Sequence, residues 1–278
     1  MINKSRSVMS LTLVLTKELA ETVEQSEIDA LHSRLTAIKE IDGNPMGVAI
    51  KQFGNATAFS VKSIPGPSFN TVKGLKDGDE KFIDNIIDFY NSREIPVRFE
   101  LTPANTSPKL FAYLNKSGFY HSDFHTALYA PLPNVNELSG SNVSIRMVGK
   151  NEFDTFAAIY TQAFQMPSFL KSGIAQNNEI LYDSDNWFFY VANIENEPAG
   201  IGVLFINDGI ASLAVAATVP HLRNKGVQNA LLLKRINQAE NLACNLIVGQ
   251  AKFGSISQNN MEKVGLKIAY TKAIWIKQ

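Results

Sequence analysis

The residues best arranged for chemistry lie in the stretch LAVAATVPHLRNKGVQNALLLKRINQA, residues 213–239. An apolar, strand-like run ends at Pro220, a short turn carries Arg223, Asn224, Lys225 and Gly226, and a long helical pattern starts at Val227. A strand that turns directly into a helix leaves the first helical N–H groups unpaired and converging on one spot, with the positive end of the helix dipole behind them. Phosphate is the natural occupant of such a place. Gly226 lets a ligand approach the backbone with no Cβ in the way, and Arg223 and Lys225 add formal charge. The spacing is neither the G-x-x-x-x-G-K-[ST] of nucleotide-binding P-loops nor the G-x-G-x-x-G of dinucleotide turns.

Other reactive side chains are sparse. With four histidines (His32, His121, His125, His221) and one cysteine, the sequence predicts no metal site, no internal disulfide framework and a reducing, cytoplasmic setting. Cys244, in NLACNLIV, reads as a buried, inert thiol. Asp208 in a turn and His221 just after Pro220 are weak candidates for a general base, since both positions suit structural roles. The aromatic run NWFFYVAN, residues 186–193, reads as the alternating faces of a half-buried strand rather than a base-stacking platform.

Lys plus Arg, 26, balances Asp plus Glu, 26, so no broad basic field exists to collect nucleic acid or an anionic membrane, and neither is expected as a partner. No apolar run reaches the ~18 residues of a membrane span. The nearest approach, residues 198–219, is broken by Asn207, Asp208 and Gly209 and reads as two strands and a turn. Lys4 and Arg6 before the apolar residues 8–15 give a superficial likeness to a signal peptide, but no small-residue cleavage site follows, and secretion is not expected. With 278 residues, 45% of them hydrophobic, the chain suits two ordinary packed domains.

The elements that must position the loop follow from periodicity. The spacing predicts a helix over 18–38, then strand pieces punctuated at Gly54-Asn55 and Pro65-Gly66-Pro67, a helix over 77–94, and a short strand over 95–101. Ser107 followed by Pro108 marks a helix start, Gly118 its end, and residues 119–132 a terminal strand or hairpin. The aperiodic PLPNVNELSGSN, residues 131–142, reads as a linker. The second half restarts as β-α-α-β-β-β-α-β-α-β, an α/β layout with one parallel crossing, its long helix over 227–242. The halves end alike: LNKSGFYHSDFHTALYAPL and MEKVGLKIAYTKAIWIKQ pair Lys116 with Lys263 and Gly118 with Gly265, as a diverged internal repeat would.

PHLRNKGVQNALL resembles the pyrophosphate loop of the GNAT-type N-acetyltransferases, whose pattern is Q/R-x-x-G-x-G/A after a strand ending near proline. Arg223 and Gly226 match it; Gln228 departs from the final small residue. The resemblance covers about residues 143–278 and implies tandem GNAT-like domains, each a central mixed sheet flanked by helices: a degenerate copy over 1–132 with no phosphate loop, a linker over 133–142, and a cofactor-binding copy over 143–278. It implies acetyl-CoA as cosubstrate, no metal, and direct transfer of acetyl to a primary amine of a small molecule or a protein, by a monomer or homodimer. The alternative is a catalytically weak or inactive CoA-binding module. The implied cofactor contacts are Ala216, Ala217 and Thr218 on a strand expected to bulge and splay, then Arg223, Asn224, Lys225, Gly226, Val227, Gln228 and Asn229. The family's cofactor-binding Asn and thiolate-protonating Tyr fall on Gly254 and Met261, so Ser257 and Asn260 are the candidate replacements, and Tyr270 is a weak candidate for the acid. The acceptor is expected to meet QAFQMPSFLKS, residues 162–172, and the last hairpin, with the first half closing over the cleft.

Overall fold

The computed structural model describes residues 13–64, 66–132 and 142–277, so most of the expected linker lies outside the described residues. Helix α1 (Lys17–Lys39) starts where the Thr16 hydroxyl accepts the Leu19 N–H at 3.2 Å. Strands β1 (Val48–Phe53) and β2 (Ala56–Val61) form a hairpin across Gly54-Asn55. Then follow β3 (Thr71–Lys73), α2 (Ile83–Asn91), β4 (Arg98–Leu101), α3 (Pro108–Lys116) and β5 (Phe119–Pro131). Ser107 caps α3 and Pro108 opens it, as the sequence predicts. The second half contains β6 (Val143–Met147), α4 (Phe153–Ala163), α5 (Lys171–Glu179), β7 (Trp187–Ile194), β8 (Glu197–Asn207), β9 (Ile210–Thr218), α6 (Val227–Asn241), β10 (Leu246–Lys252), α7 (Ile256–Lys263) and β11 (Lys267–Lys277).

All these strands join one sheet in the order β1-β2-β3-β4-β11-β5-β10-β9-β8-β7-β6. Each half contributes one parallel pair closed over a helix, β3-α2-β4 and β9-α6-β10, which is the internal repeat expressed as topology. The terminal strands are exchanged. β11, the end of the second half, pairs with β4 of the first, whereas β5, the end of the first half, pairs with β10 of the second. β5 and β11 pair with each other along their length, from Lys267 opposite Tyr129 to Lys277 opposite Phe119. The two sheets expected of the tandem fold are therefore fused, and each is completed by the other half's last strand.

Helices cover both faces. A Cβ on Gly200 or Gly202 of β8 would run into Val227, Leu231 or Arg235, so α6 sits directly on that face. On the opposite face Phe153 and Phe156 of α4 meet Phe189 of β7 edge-on, with ring centres 5.3 and 5.6 Å apart. Helix α1 lies on this second face and bridges the halves: its Arg34 stacks over the Trp187 ring at 4.6 Å, its Ser33 accepts the Trp187 indole N–H at 3.0 Å, and its Glu27 pairs with Lys272 of β11.

Candidate functional site

At the end of β9 the chain takes one turn of 3-10 helix over Pro220–Leu222 and enters α6 through Gly226, which adopts the left-handed conformation (φ 83°). A Cβ there would meet nothing within 4 Å, so the backbone faces open space. No side chain caps α6, and its first internal bond runs from the Ala230 N–H to the Gly226 carbonyl. The N–H groups of Val227, Gln228 and Asn229 are thus the unpaired donors that the sequence anticipates. Lys225 is exposed, and Asn224 adopts a positive φ of 63°. Arg223 is partly committed: its guanidinium donates to the Ala163 carbonyl at 2.9 Å and to the Thr218 carbonyl at 3.4 Å, fastening the loop to α4 and β9. Asn229 Oδ1 and Thr218 Oγ1 are buried without hydrogen-bond partners among the described residues.

The strand before this loop is irregular in a useful way. Leu213 pairs with Leu204 of β8 but Val215 pairs with Val203, so Ala214 is an extra residue, a bulge. On the other side the parallel pairing of β9 with β10 stops at Leu213 opposite Gly249, although both strands continue. From Ala214 to Thr218 the β10-facing edge of β9 therefore has no partner strand among the described residues. Arg235 of α6 donates to the Val203 and Val215 carbonyls at 3.3 and 3.1 Å, which occupies carbonyls beside the bulge.

A cavity of about 690 Å³ opens at this parting of strands. It brings together Ala216, Gln228, Ser257 and Asn260 with Ser212–Val215, and it extends under α1 to Glu27 and Arg34. Phe164 and Met166 of the α4–α5 connection also line it, whereas Phe169 points to solvent. Met261, at the position of the family's Tyr, is buried in the wall with its sulfur against Gly249. Ser255 caps α7 by accepting the Gln258 N–H. Tyr270 lies elsewhere: it packs with Ala20, Val23, Tyr129 and Val248, its hydroxyl has no partner, and burial pushes its pKa up. Ala217 and Val227 are buried in the core beside the loop, and Cys244 is buried as expected. Asp208 and His221 fall outside the cavity wall, His221 bonding Glu197 at 2.9 Å.

The cavity's far wall was not foreseen. Glu27 of α1, Lys73 of β3, Glu100 of β4 and Lys272 of β11 form a buried lattice: Lys73 lies 3.0 Å from Glu27 and 2.5 Å from Glu100, and Lys272 lies 2.5 and 2.8 Å from the same carboxylates. Desolvation favours neutral carboxyls, but the ammoniums of Lys272 and Lys73 outweigh it and hold both Glu27 and Glu100 below the usual range, Glu100 well below. His125 of β5 faces the same lattice; burial, reinforced by Lys272, lowers its pKa below 6.5, so it is neutral at pH 7. The first half has no counterpart of the basic loop. Its β3–α2 connection carries Asp77, Asp79 and Glu80, and the Asp79 carboxylate accepts the Lys76 and Asn55 N–H groups itself. Where β3 and β4 would part, Lys73 and Glu100 fill the gap. Spacing alone could not reveal this lattice, because its members sit on four elements from both halves.

Among the described residues no group of three or more His, Cys, Asp or Glu is placed to hold a metal, and no helix is long and apolar enough to cross a membrane. No family model matches the sequence, and no curated protein matches it. The structure is similar to a GCN5-related N-acetyltransferase from Kribbella flavida (TM-score 0.67, 13% identity, covering 93% of this chain and 95% of that one). It is also similar to a tandem GNAT protein from the clavulanic acid biosynthesis pathway (TM-score 0.62, 12% identity, 94% and 96% covered) and to a GCN5-related N-acetyltransferase from Sphaerobacter thermophilus (TM-score 0.58, 10% identity, 94% and 93% covered). The chain has the tandem GNAT fold.

Proposed function

We propose that this tandem GNAT chain is an acetyl-CoA-dependent N-acetyltransferase, with residues 143–278 holding the cofactor, residues 1–132 serving as a degenerate copy that roofs the acceptor chamber, and residues 133–142 linking them. The observation that carries this reading is the left-handed turn at Gly226 into the uncapped start of α6, directly beside the parting of β9 from β10. The unpaired N–H groups of Val227, Gln228 and Asn229, with Lys225 and Arg223 beside them, hold the pyrophosphate. The open edge of β9 through Ala216, Ala217 and Thr218 bonds the pantetheine arm, and Ser257 and Asn260 flank it from α7. When bound, acetyl-CoA supplies an acetyl thioester for direct attack by the acceptor amine. A backbone N–H of the open β9 edge faces the charge that develops on the carbonyl oxygen; one such preorganised donor is worth about 3 kcal/mol. His125, neutral and lining the chamber, takes the proton from the acceptor ammonium. The chamber lies under α1, which favours a small-molecule amine over a protein one.

Calorimetric titration with acetyl-CoA tests the reading. Binding is expected for the native chain and its loss in Gly226→Glu, which places a carboxylate at the phosphates; binding that is absent, or unchanged in the variant, defeats it. A second reading, a CoA-binding module without turnover, is favoured by Met261 standing where the family has its Tyr. Thiol release with a panel of amines separates the two.

A further inference from the structure

Five cationic side chains line the cavity, Arg34, Lys73, Arg98, Arg235 and Lys272, against two carboxylates, Glu27 and Glu100, in a chain whose formal charge is zero. Three of the five are paired with carboxylates, and a fourth is held by backbone carbonyls alone. Lys73 and Lys272 each meet both carboxylates, Arg98 lies 2.9 Å from Glu100, and Arg235 donates to three backbone carbonyls. Arg34 is the exception. It is 8% exposed, and among the described residues its one side-chain hydrogen bond runs from Nη1 to Asn178 Oδ1 at 2.8 Å, while its buried Nη2 has no partner. The guanidinium carbon lies 4.6 Å from the centre of the Trp187 ring, a contact that supplies no counter-charge. Burial lowers its pKa to about 10, so it remains charged at neutral pH. An unpaired buried cation is costly to fold around, and a guanidinium presents its donors in a fork that matches a carboxylate. Among the described residues three further buried polar atoms on the cavity wall lack partners: Asn177 Oδ1, Ser212 Oγ and, seven residues before Arg34 on α1, Glu27 Oε1. Seven residues of helix separate Glu27 from Arg34 by about 10 Å along the axis, and the open edge of β9 faces the same space.

We propose that the acceptor is a small amine that also carries a carboxylate, the carboxylate held by Arg34 and the ammonium directed to the free oxygen of Glu27. This rests on the acetyltransferase reading and adds the acceptor's chemical class to it. The turn at Gly226 opens α6, which packs on the face of the sheet opposite α1, so Arg34 is spare for the acceptor and not needed for pyrophosphate.

The test uses the full-length native chain with amino acids of increasing length, each matched with its C-terminal amide and its decarboxylated amine. Two readouts are taken: thiol release at saturating acetyl-CoA, and the ligand-induced shift in melting temperature without cofactor. The carboxylated member of a pair is expected to give the lower KM and the larger shift, by about 10- to 100-fold in KM, as a charge-assisted contact implies. Arg34→Gln is expected to abolish that preference while leaving acetyl-CoA binding by calorimetry unchanged, and Arg34→Lys to restore part of it. A panel in which amides and decarboxylated amines do as well as the acids in both readouts overturns the proposal, as does a preference that survives Arg34→Gln. Failure of acetyl-CoA to bind in the parallel titration would instead count against the acetyltransferase reading. The variant is expected to fold, because it removes an unpaired buried charge.

Discussion

His125 reaches the cavity from β5, with Lys252 of β10 and Lys272 of β11 as its neighbours in register. The charged groups that face it are Lys272 on β11, Glu100 on β4, Glu27 on α1 and Lys73 on β3, and burial is the largest influence on it. Its pKa lies below 6.5 in the fold, so kcat should be level above pH 7 and fall with an acidic limb below pH 6.5; His125→Gln should lower kcat by about 10²- to 10⁴-fold and remove that limb, as a pH–rate profile would reveal. The buried lattice has its own pH signature. Glu27 and Glu100 have pKa values below 4.5, so their contribution to stability is complete above that value and is lost as pH falls through the folded values. Lys73 is raised above 10.5 because Glu100 and Glu27 outweigh its desolvation, so its contribution is complete below 10.5 and lost as pH rises beyond its folded value. Thermal melts should therefore give a stability plateau between about pH 5 and pH 10 from these groups. Glu100→Gln strands two buried ammoniums with one remaining carboxylate and should cost about 3–5 kcal/mol in chemical denaturation.

Helix α1 shows why an element can be legible while its task is not. Leu19, Val23, Ile28, Leu31, Leu35 and Ile38 mark it as a helix with an apolar stripe. Yet Glu24 and Arg34 are buried as well and the Glu27 side chain is only 8% exposed, all at helical spacing, and in a single sequence they read as ordinary solvated charges. Only the elements packed against α1 convert them into a roof with an ion lattice at one end and an unmatched arginine at the other. The β8–α6 contact is the opposite case, since its tightness is visible as glycine. A Cβ on Gly200 would lie 2.6 Å from Val227 Cγ1 and 2.8 Å from the Ala217 carbonyl oxygen. Gly200→Ala must therefore push α6 off the sheet, with an expected loss of about 1–3 kcal/mol and, on the proposed function, a weakened acetyl-CoA affinity, because Val227 is the first residue of the helix proposed to hold the pyrophosphate. Melting temperature and calorimetry on one preparation measure both effects.

At the scale of the molecule, strand exchange governs what can be separated. Cutting at about residue 136 looks from the sequence like a clean division into halves. In the fused sheet that cut removes β5 from between β10 and β11 and leaves two long strands with open edges and exposed apolar faces. The fragment 143–278 alone should be insoluble or should form intertwined dimers on gel filtration, and co-expression of both fragments should recover a soluble complex. A soluble, monomeric 143–278 fragment that binds acetyl-CoA would contradict the exchanged arrangement.

The sequence by itself determined the elements, the repeat of β-α-β units, the basic strand-turn-helix junction from Arg223 to Asn229 and the lack of its equivalent in the first half. These are local properties, written in periodicity, capping residues and one strand-turn-helix junction. The bulge and splay came from family resemblance, and the structure places them at Ala214 and beyond Leu213. Tertiary structure alone decided that β5 and β11 change places, that α1 spans the halves, and that Glu27, Lys73, Glu100, His125 and Lys272 meet around one chamber. Pairing between strands more than a hundred residues apart leaves no periodic trace in the chain. A charged residue buried beside its partner carries the same letter as one in water, and only packing tells the two apart.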